Sequence, residues 1–332
     1  MGTAKETLRE FKKLHITAIG GGHGLSSLLR GLKKANRNIT AVVTVADNGG
    51  SSGALRRDMG ILPPGDVRSC LTALADDEEF MTQVLQYRFS SASGVGQHNM
   101  GNLLLTALAD ITGSFEEGIR ELASILAIRG KVTASTLANI NLAADIEFVK
   151  DGVVTVERVN GESEITEAHG HILRCWIEPE NVSANPEAIR AILNADLVLM
   201  GPGSLYTSIL PNLMVSGIAN AVAASSAKNL YICNLTSQPG ETDNMNSADH
   251  LKILQEALPD TVLDGMICNN FYQGELPKNV SWCKIFKDIK SGVRVFEGDL
   301  IDEAYPWHHN PEKLTDIVIR SWEELKTFPS NS

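Results

Sequence analysis

Along the 332 residues, apolar positions switch between two spacings. Short β-branched runs at Ile16–Ile19, Ile39–Ala46, Ala195–Met200, Asn229–Leu235 and Val262–Cys268 have no polar alternation, as expected of buried parallel strands. Between them the spacing becomes helical. Leu25, Leu28, Leu29 and Leu32 repeat at i, i+3, i+4, i+7, and Phe115–Ile128 presents Ile119, Leu122, Ala123 and Leu126 on one face. Helices are also predicted over 76–89, from His98 to Ala109, and over Pro186–Leu193, Ser247–Leu258 and Pro311–Lys326. Strands alternating with helices predict an α/β fold built from βαβ units with right-handed crossovers.

Residues 131–178 break that pattern. Asp145–Val149, Val153–Val156 and Ile172–Ile177 read as strands, with Lys150-Asp151-Gly152 as a hairpin turn. We expect one α/β domain over 1–332 carrying a small antiparallel β insertion over about 131–178, not a separate domain. His169 and His171 would put two imidazoles on one strand face, a surface pair with no third ligand at metal spacing. Ser90–Gly96 reads as a mobile small-residue loop.

Composition narrows the function. Apolar residues make up 43% of the chain, enough for a substantial core. The net charge of −11 argues against general nucleic-acid binding through a basic face. The five cysteines, Cys70, Cys175, Cys233, Cys268 and Cys283, are scattered with no C-x-x-C, which fits a reduced cytoplasmic protein and no zinc spacing. Met1–Lys13 is charged, without the apolar stretch of a signal peptide, and no run is long enough to span a membrane.

Chemistry concentrates where strands end. Gly20, Gly21, Gly22, His23 and Gly24 follow the first strand and open a helix. Glycine allows a sharp turn and a close ligand, and a helix amino end suits phosphate. The second strand runs into Asp47-Asn48-Gly49-Gly50-Ser51-Ser52-Gly53. Asp47 follows Gly24 at about the 20-residue distance at which dinucleotide folds keep a ribose-binding acid. Gly50, Ser51 and Ser52 suit an anion nest, and Arg56 and Arg57 could grip phosphate. Asp66, after Pro63-Pro64-Gly65, reads as an N-cap, with Arg68 beyond it. His98, Asn99 and Asn102 offer more polar groups than one helix cap needs. Gly201-Pro202-Gly203-Ser204-Leu205-Tyr206-Thr207-Ser208 is a second strand–glycine loop–helix.

These motifs together (Gly-Gly-Gly-x-Gly at 20–24, Ala-Asp-Asn-Gly-Gly-Ser-Ser-Gly at 46–53, Leu-Pro-Pro-Gly-Asp-Val-Arg at 62–68, Asn-Met-Gly-Asn at 99–102 and Gly-Pro-Gly-Ser-Leu-Tyr-Thr-Ser at 201–208) resemble the bacterial gluconeogenesis factor family (YvcK-like). That family is related to the CofD-like 2-phospho-L-lactate transferases. The resemblance runs over roughly 14–325. It implies a Rossmann-like, CofD-like sheet with helices on both faces, a nucleotide-sugar ligand such as UDP-N-acetylglucosamine, and a role in growth on gluconeogenic carbon and in cell shape. A homo-oligomer with a regulatory protein partner is also expected.

Two departures bear on chemistry. The transferase branch holds a divalent metal with acidic residues after the second strand, and Asp47-Asn48 is one carboxylate short. From Gly22 and Gly24, the third position of G-x-G-x-x-G is Ser27, which counts against an NAD-linked dehydrogenase. The expected site therefore comprises Gly20–Gly24, Asp47, Asn48, Gly50, Ser51, Ser52, Arg56, Arg68, Asn99, Asn102, Gly203, Ser204, Tyr206, Thr207 and Ser208. Two readings stay open: a ligand-binding regulator with no metal, and a transferase moving a phosphorylated group from a nucleotide-activated donor, with Mg²⁺ at Asp47.

Overall fold

The computed structural model describes residues 4–90, 95–259, 262–286 and 292–327. Positions 91–94 of the small-residue loop, and Met1–Thr3 of the charged amino terminus, lie outside the described residues.

The strands are β1 (Ile16–Gly20), β2 (Ile39–Val43), β3 (Lys131–Ala134), β4 (Asn141–Lys150), β5 (Val153–Asn160), β6 (His171–Glu178), β7 (Leu197–Met200), β8 (Lys228–Ile232), β9 (Gly265–Asn269) and β10 (Arg294–Gly298). Seven pair in the order β10-β9-β8-β7-β1-β2-β3, every pairing parallel. The sheet grows outward from β1 to β2 and β3, and in the other direction from β7 to β8, β9 and β10. The order reverses between β1 and β7. At such a switch point the chains leaving adjacent strands part to opposite faces and open a crevice at the carboxyl ends. Ile16 pairs with Leu197 and Ile19 with Met200, so β1 and β7 release their loops at one height.

Side-chain alternation fills a core on each face. Ile16, Ala18, Leu197 and Leu199 point into one apolar cluster, and Ile19, Val198 and Met200 into the other. The helix Gly22–Ala35 covers the first face, and its four predicted leucines, Leu25, Leu28, Leu29 and Leu32, are fully buried.

The remaining strands form an antiparallel sheet, β5-β4-β6. Asp151 and Gly152 turn the hairpin with φ of 53° and 78°, the left-handed pair that a two-residue turn demands. Leu142, Ala144, Ile146, Ile172 and Ile177 join the same cluster as Ile19, Val42 and Met200, so the insertion packs onto the main sheet. Among the described residues no helix is long and apolar enough to cross a membrane.

Several elements differ from the sequence expectation. Residues 131–134 are not part of the insertion. Buried Val132 and Ala134 make them β3 of the main sheet, and Ser135 N–H extends the ladder to the Val43 carbonyl at 2.8 Å. The edge strand β10 was not predicted, because Arg294 and Glu297 interrupt its apolar pattern. His169 is not on a strand: it ends the helix Glu162–Ala168 with φ of 52°, and β6 starts only at His171. The two imidazoles therefore do not share a strand face.

At Gly31 the helix Gly22–Ala35 meets the carboxyl-terminal helix Pro311–Lys326 with no room for a side chain. A Cβ there would drive into the Pro311 carbonyl and the Thr315 hydroxyl. Gly31→Ala should destabilise the fold by about 1–3 kcal/mol, the usual cost of overpacking, read as a lower urea midpoint. An unchanged midpoint would contradict this helix contact.

Candidate functional site

The crevice is built from two backbones in contact. After β1, Gly21 is extended and Gly22 turns with φ of 63° into the helix, for which Gly21 as N-cap offers no side-chain acceptor. After β7, Gly201 and Gly203 have φ of 81° and 156°. Ser204 then caps a π-helical turn, Leu205–Ile209, its Oγ accepting from Thr207 N–H at 3.1 Å. A Cβ on Gly24 would lie 2.5 Å from the Pro202 carbonyl oxygen, and one on Gly203 would lie 3.3 Å from the Gly21 oxygen. Asn212 ties the loops together. Its Nδ2 donates to the Gly20 oxygen at 3.0 Å and the Ser208 oxygen at 2.7 Å.

The resulting cleft holds about 660 Å³. Gly21, Gly22, His23, Gly24, Gly203, Ser204, Thr207 and Ser208 line one side. The other walls come from Asn234–Glu241 beyond β8, from Glu162 and Thr166 of the insertion, and from Trp307–His309. A larger hollow of about 980 Å³ lies at the opposite end of the sheet, around His15, Arg37 and Lys131. Ligands of open α/β sheets bind at the carboxyl ends, which selects the smaller cleft.

Titratable groups of both kinds surround the cleft. Burial first, then the neighbouring His308, Arg30 and Arg68, pushes His23 below the ordinary histidine range, so it is neutral at pH 7. Arg30 is paired with Glu78. Four acids stand near: Glu162 and Glu241 line the cleft, and Asp66 and Asp47 lie close to the glycine loop and to Glu162. Burial, reinforced by Asp47, raises Asp66 from 3.8 to about 7, although the Gly22 N–H donates to it. Burial raises Glu162 well above the carboxylate range, with Asp47, Asp66 and Glu241 adding to the effect. Burial also raises Glu241, against the pull of its hydrogen bonds. Ser204 donates to Glu241, as do Thr207 at 3.3 Å and Thr166 at 3.2 Å. The second loop thus presents hydroxyls already ordered by an acid.

Other residues predicted for the site are used elsewhere. Tyr206 is 5% exposed and packs in the core. The Arg56 guanidinium is buried and donates to the Ile140 carbonyl. Gly50 opens the helix Gly50–Met59 instead of a free nest. On that helix Ser52 Oγ accepts from Gly65 N–H at 3.1 Å. Ser51, His98 and Asn102 form a buried network, with Ser51 Oγ 3.1 Å from His98 Nδ1 and 3.0 Å from Asn102 Nδ2. Asn99 caps the helix Met100–Thr112. Asn48 latches the insertion: Nδ2 donates to Glu164 at 2.7 Å and Oδ1 accepts from Ser163 N–H at 3.1 Å. Asp47 accepts from Gly49 N–H at 2.8 Å and lies behind the cleft wall. Gly20 ends β1 and contributes its carbonyl. Arg68 stands among His23, Asp66 and Asp47. Asp66 is not an N-cap: the helix Gly65–Leu74 follows Pro64, and the Asp66 carboxyl reaches back under the glycine loop.

Sequence reasoning missed Glu241, Glu162, Asn234 and Trp307–His309. The polar run Thr236–Thr242 follows β8 as 47–53 follows β2, a usable signal for Glu241. Nothing local marks Trp307–His309.

The fold and cleft define a doubly wound α/β protein with a switch-point site. The profile of the family described as 2-phospho-L-lactate transferase CofD matches residues 16–300. Proteins named gluconeogenesis factor are similar over most of the chain. One from Listeria monocytogenes is 44% identical over 94% of this chain and 97% of its own. One from Bacillus subtilis is 45% identical over 78% of this chain and 80% of its own. The crystal structure of a UPF0052-family protein from Bacillus halodurans superposes with a TM-score of 0.83 at 38% identity, covering 92% of this chain and 99% of that one. The chain belongs to the CofD family, on the branch of the bacterial gluconeogenesis factors.

A carboxyl whose folded pKa is raised binds its proton more tightly in the fold than in the unfolded chain. Its contribution is therefore full at low pH and is lost as pH rises through about 7. Asp66→Asn keeps an acceptor for Gly22 without the charge. It should raise the melting temperature by several degrees at pH 8, by clearly less at pH 5, and hardly at all below the unfolded value of 3.8. An equal change at pH 8 and pH 5 would contradict a buried, proton-bearing Asp66.

Proposed function

We propose that this gluconeogenesis factor binds a nucleotide sugar such as UDP-N-acetylglucosamine in the switch-point cleft, as a cytoplasmic regulator of growth on gluconeogenic carbon and of cell shape. The observation that carries the reading is the contact of two glycine loops at the ends of β1 and β7. The two backbones meet at the amino end of the helix Gly22–Ala35, where a diphosphate would find a positive helix end. Ser208 adds a hydroxyl donor, and Arg68 and Arg30 supply positive charge nearby. The amides of Asn234 and Gln238 on the far wall suit a base or a sugar amide. The five free thiols support a reducing compartment. The regulator would act as a homo-oligomer, through a protein partner still to be identified.

Isothermal titration with UDP-N-acetylglucosamine tests this. Wild type should release or absorb heat saturably below millimolar ligand. Gly24→Ala, which forces the loops apart, should weaken binding at least tenfold. No heat from folded wild type would sink the proposal.

One observation favours a second reading, a transferase moving a phosphorylated group. The fold gathers Asp47, Asp66 and Glu241 around Glu162, so acids from other elements stand where Asn48 offers none. Carboxylate oxygens are the donors Mg²⁺ prefers. No three of them converge within 4.8 Å among the described residues, so substrate oxygens would complete the coordination. Bound Mg²⁺ would neutralise phosphate charge, while the glycine loops hold the donor. Mg²⁺-dependent turnover that Asp47→Ala abolishes, with nucleotide binding retained, would establish this reading; no turnover in wild type would reject it.

A further inference from the structure

Beneath the far wall of the cleft, three chain segments bring together side chains that the proposed function does not use. Cys233 directly follows β8, His250 lies on the helix Ser247–Ala257, and Cys283 lies on an extended segment beside β8. All three are buried, and a sulfur or nitrogen from each lies within 4.8 Å of those from the others. The two sulfurs are 3.6 Å apart. A disulfide would require about 2.05 Å. Two thiolates on one tetrahedral zinc ion, each about 2.3 Å from the metal, stand about 3.8 Å apart.

The imidazole supplies the second, independent observation. His250 Nδ1 is 2.9 Å from Tyr231 Oη, whereas Nε2 is buried with no hydrogen-bond partner. With Nδ1–H donating to the tyrosine oxygen, Nε2 carries a bare lone pair. A metal-ligating histidine is characteristically held this way, its second ring nitrogen donating to an oxygen that fixes tautomer and ring plane. Two sulfurs and one imidazole nitrogen form a soft to borderline donor set, which suits Zn²⁺ and disfavours Mg²⁺ or Ca²⁺.

We infer that Cys233, His250 and Cys283 form a binding site for a thiophilic divalent cation such as Zn²⁺, acting as a clamp beneath the cleft. A fourth position is left for water or for Cys268, on the neighbouring strand β9 and in the same core cluster. The clamp joins elements otherwise linked by a short ladder. Cys283 N–H donates to the Leu235 carbonyl at 2.9 Å, Ser237 N–H to the Ser281 carbonyl at 2.7 Å, and Thr236 bridges Trp282. Asn234–Gln238, which this ladder supports, form the far wall of the cleft. The site stands on its own geometry and holds whichever ligand the cleft takes.

The test uses the full chain, reduced and purified without chelator. Elemental analysis after dialysis against Zn²⁺ should find about one zinc per chain. Titration of the metal-free protein with Co²⁺ should produce thiolate-to-cobalt charge-transfer absorption with a tetrahedral visible spectrum. Both should fall by at least tenfold in Cys283→Ser, and in His250→Gln should that serine variant fail to fold. Folded, reduced wild type with neither zinc nor cobalt–thiolate absorption overturns the inference. So does a Cys233–Cys283 disulfide in metal-free protein that persists through mild reduction.

Discussion

The contact between the Gly24 backbone and the Pro202–Gly203 peptide is the constraint on which the site depends. It exists because β1 and β7 are neighbours in register, although nearly the whole insertion lies between them in sequence. Two loops that leave adjacent strands at one height, toward opposite faces, collide unless both lack side chains at the crossing. Glycine at Gly24 and Gly203 removes the collision and lets the two backbones pack directly together. Asn212 then fixes the spacing by bonding one carbonyl from each side. The helices, the leucine face and the sheet order serve to deliver these two peptides to one place.

The second constraint is electrical. Four acids gather near the loops in a protein that is already acidic, and burial lifts three of them, Asp66 to about 7 and Glu162 and Glu241 above their ordinary values. A cleft whose carboxyls resist ionisation can receive an anion that a fully charged set would repel. The hydrogen bonds from Ser204, Thr166 and Thr207 to Glu241 have a related effect. They orient the hydroxyls of the second loop before a ligand arrives, so less order has to be created on binding.

The sheet and its helices were legible because buried parallel strands and leucine-faced helices have opposite periodicities, as Ile39–Val43 and Leu25–Leu32 illustrate. Both glycine loops were legible for the same reason, each punctuating a strand-to-helix change. The paired motifs place them in one cleft, but the β1–β7 adjacency that presses them into direct contact was not legible, since strand order is not written in local pattern. The polar residues at 48–56 and 99–102 stand outside the cleft lining. Asn48, Ser51, Arg56 and Asn102 bond backbone and side-chain groups of the fold, and a sequence does not distinguish a polar group that serves a ligand from one that serves a carbonyl such as that of Ile140. Cys233, His250 and Cys283 were invisible as a cluster, because metal spacings are recognisable only when the ligands lie close along the chain.

The central claim is that the two glycine loops act as one ligand site. Amide hydrogen exchange, followed by mass spectrometry with and without saturating UDP-N-acetylglucosamine, tests it most directly. If the loops form one site, peptides covering 20–24 and 203–208 gain protection together and over the same ligand concentrations, while peptides around His15, Arg37 and Lys131 at the other end of the sheet stay unchanged. Protection confined to one loop, or appearing only at that opposite end, would contradict the account.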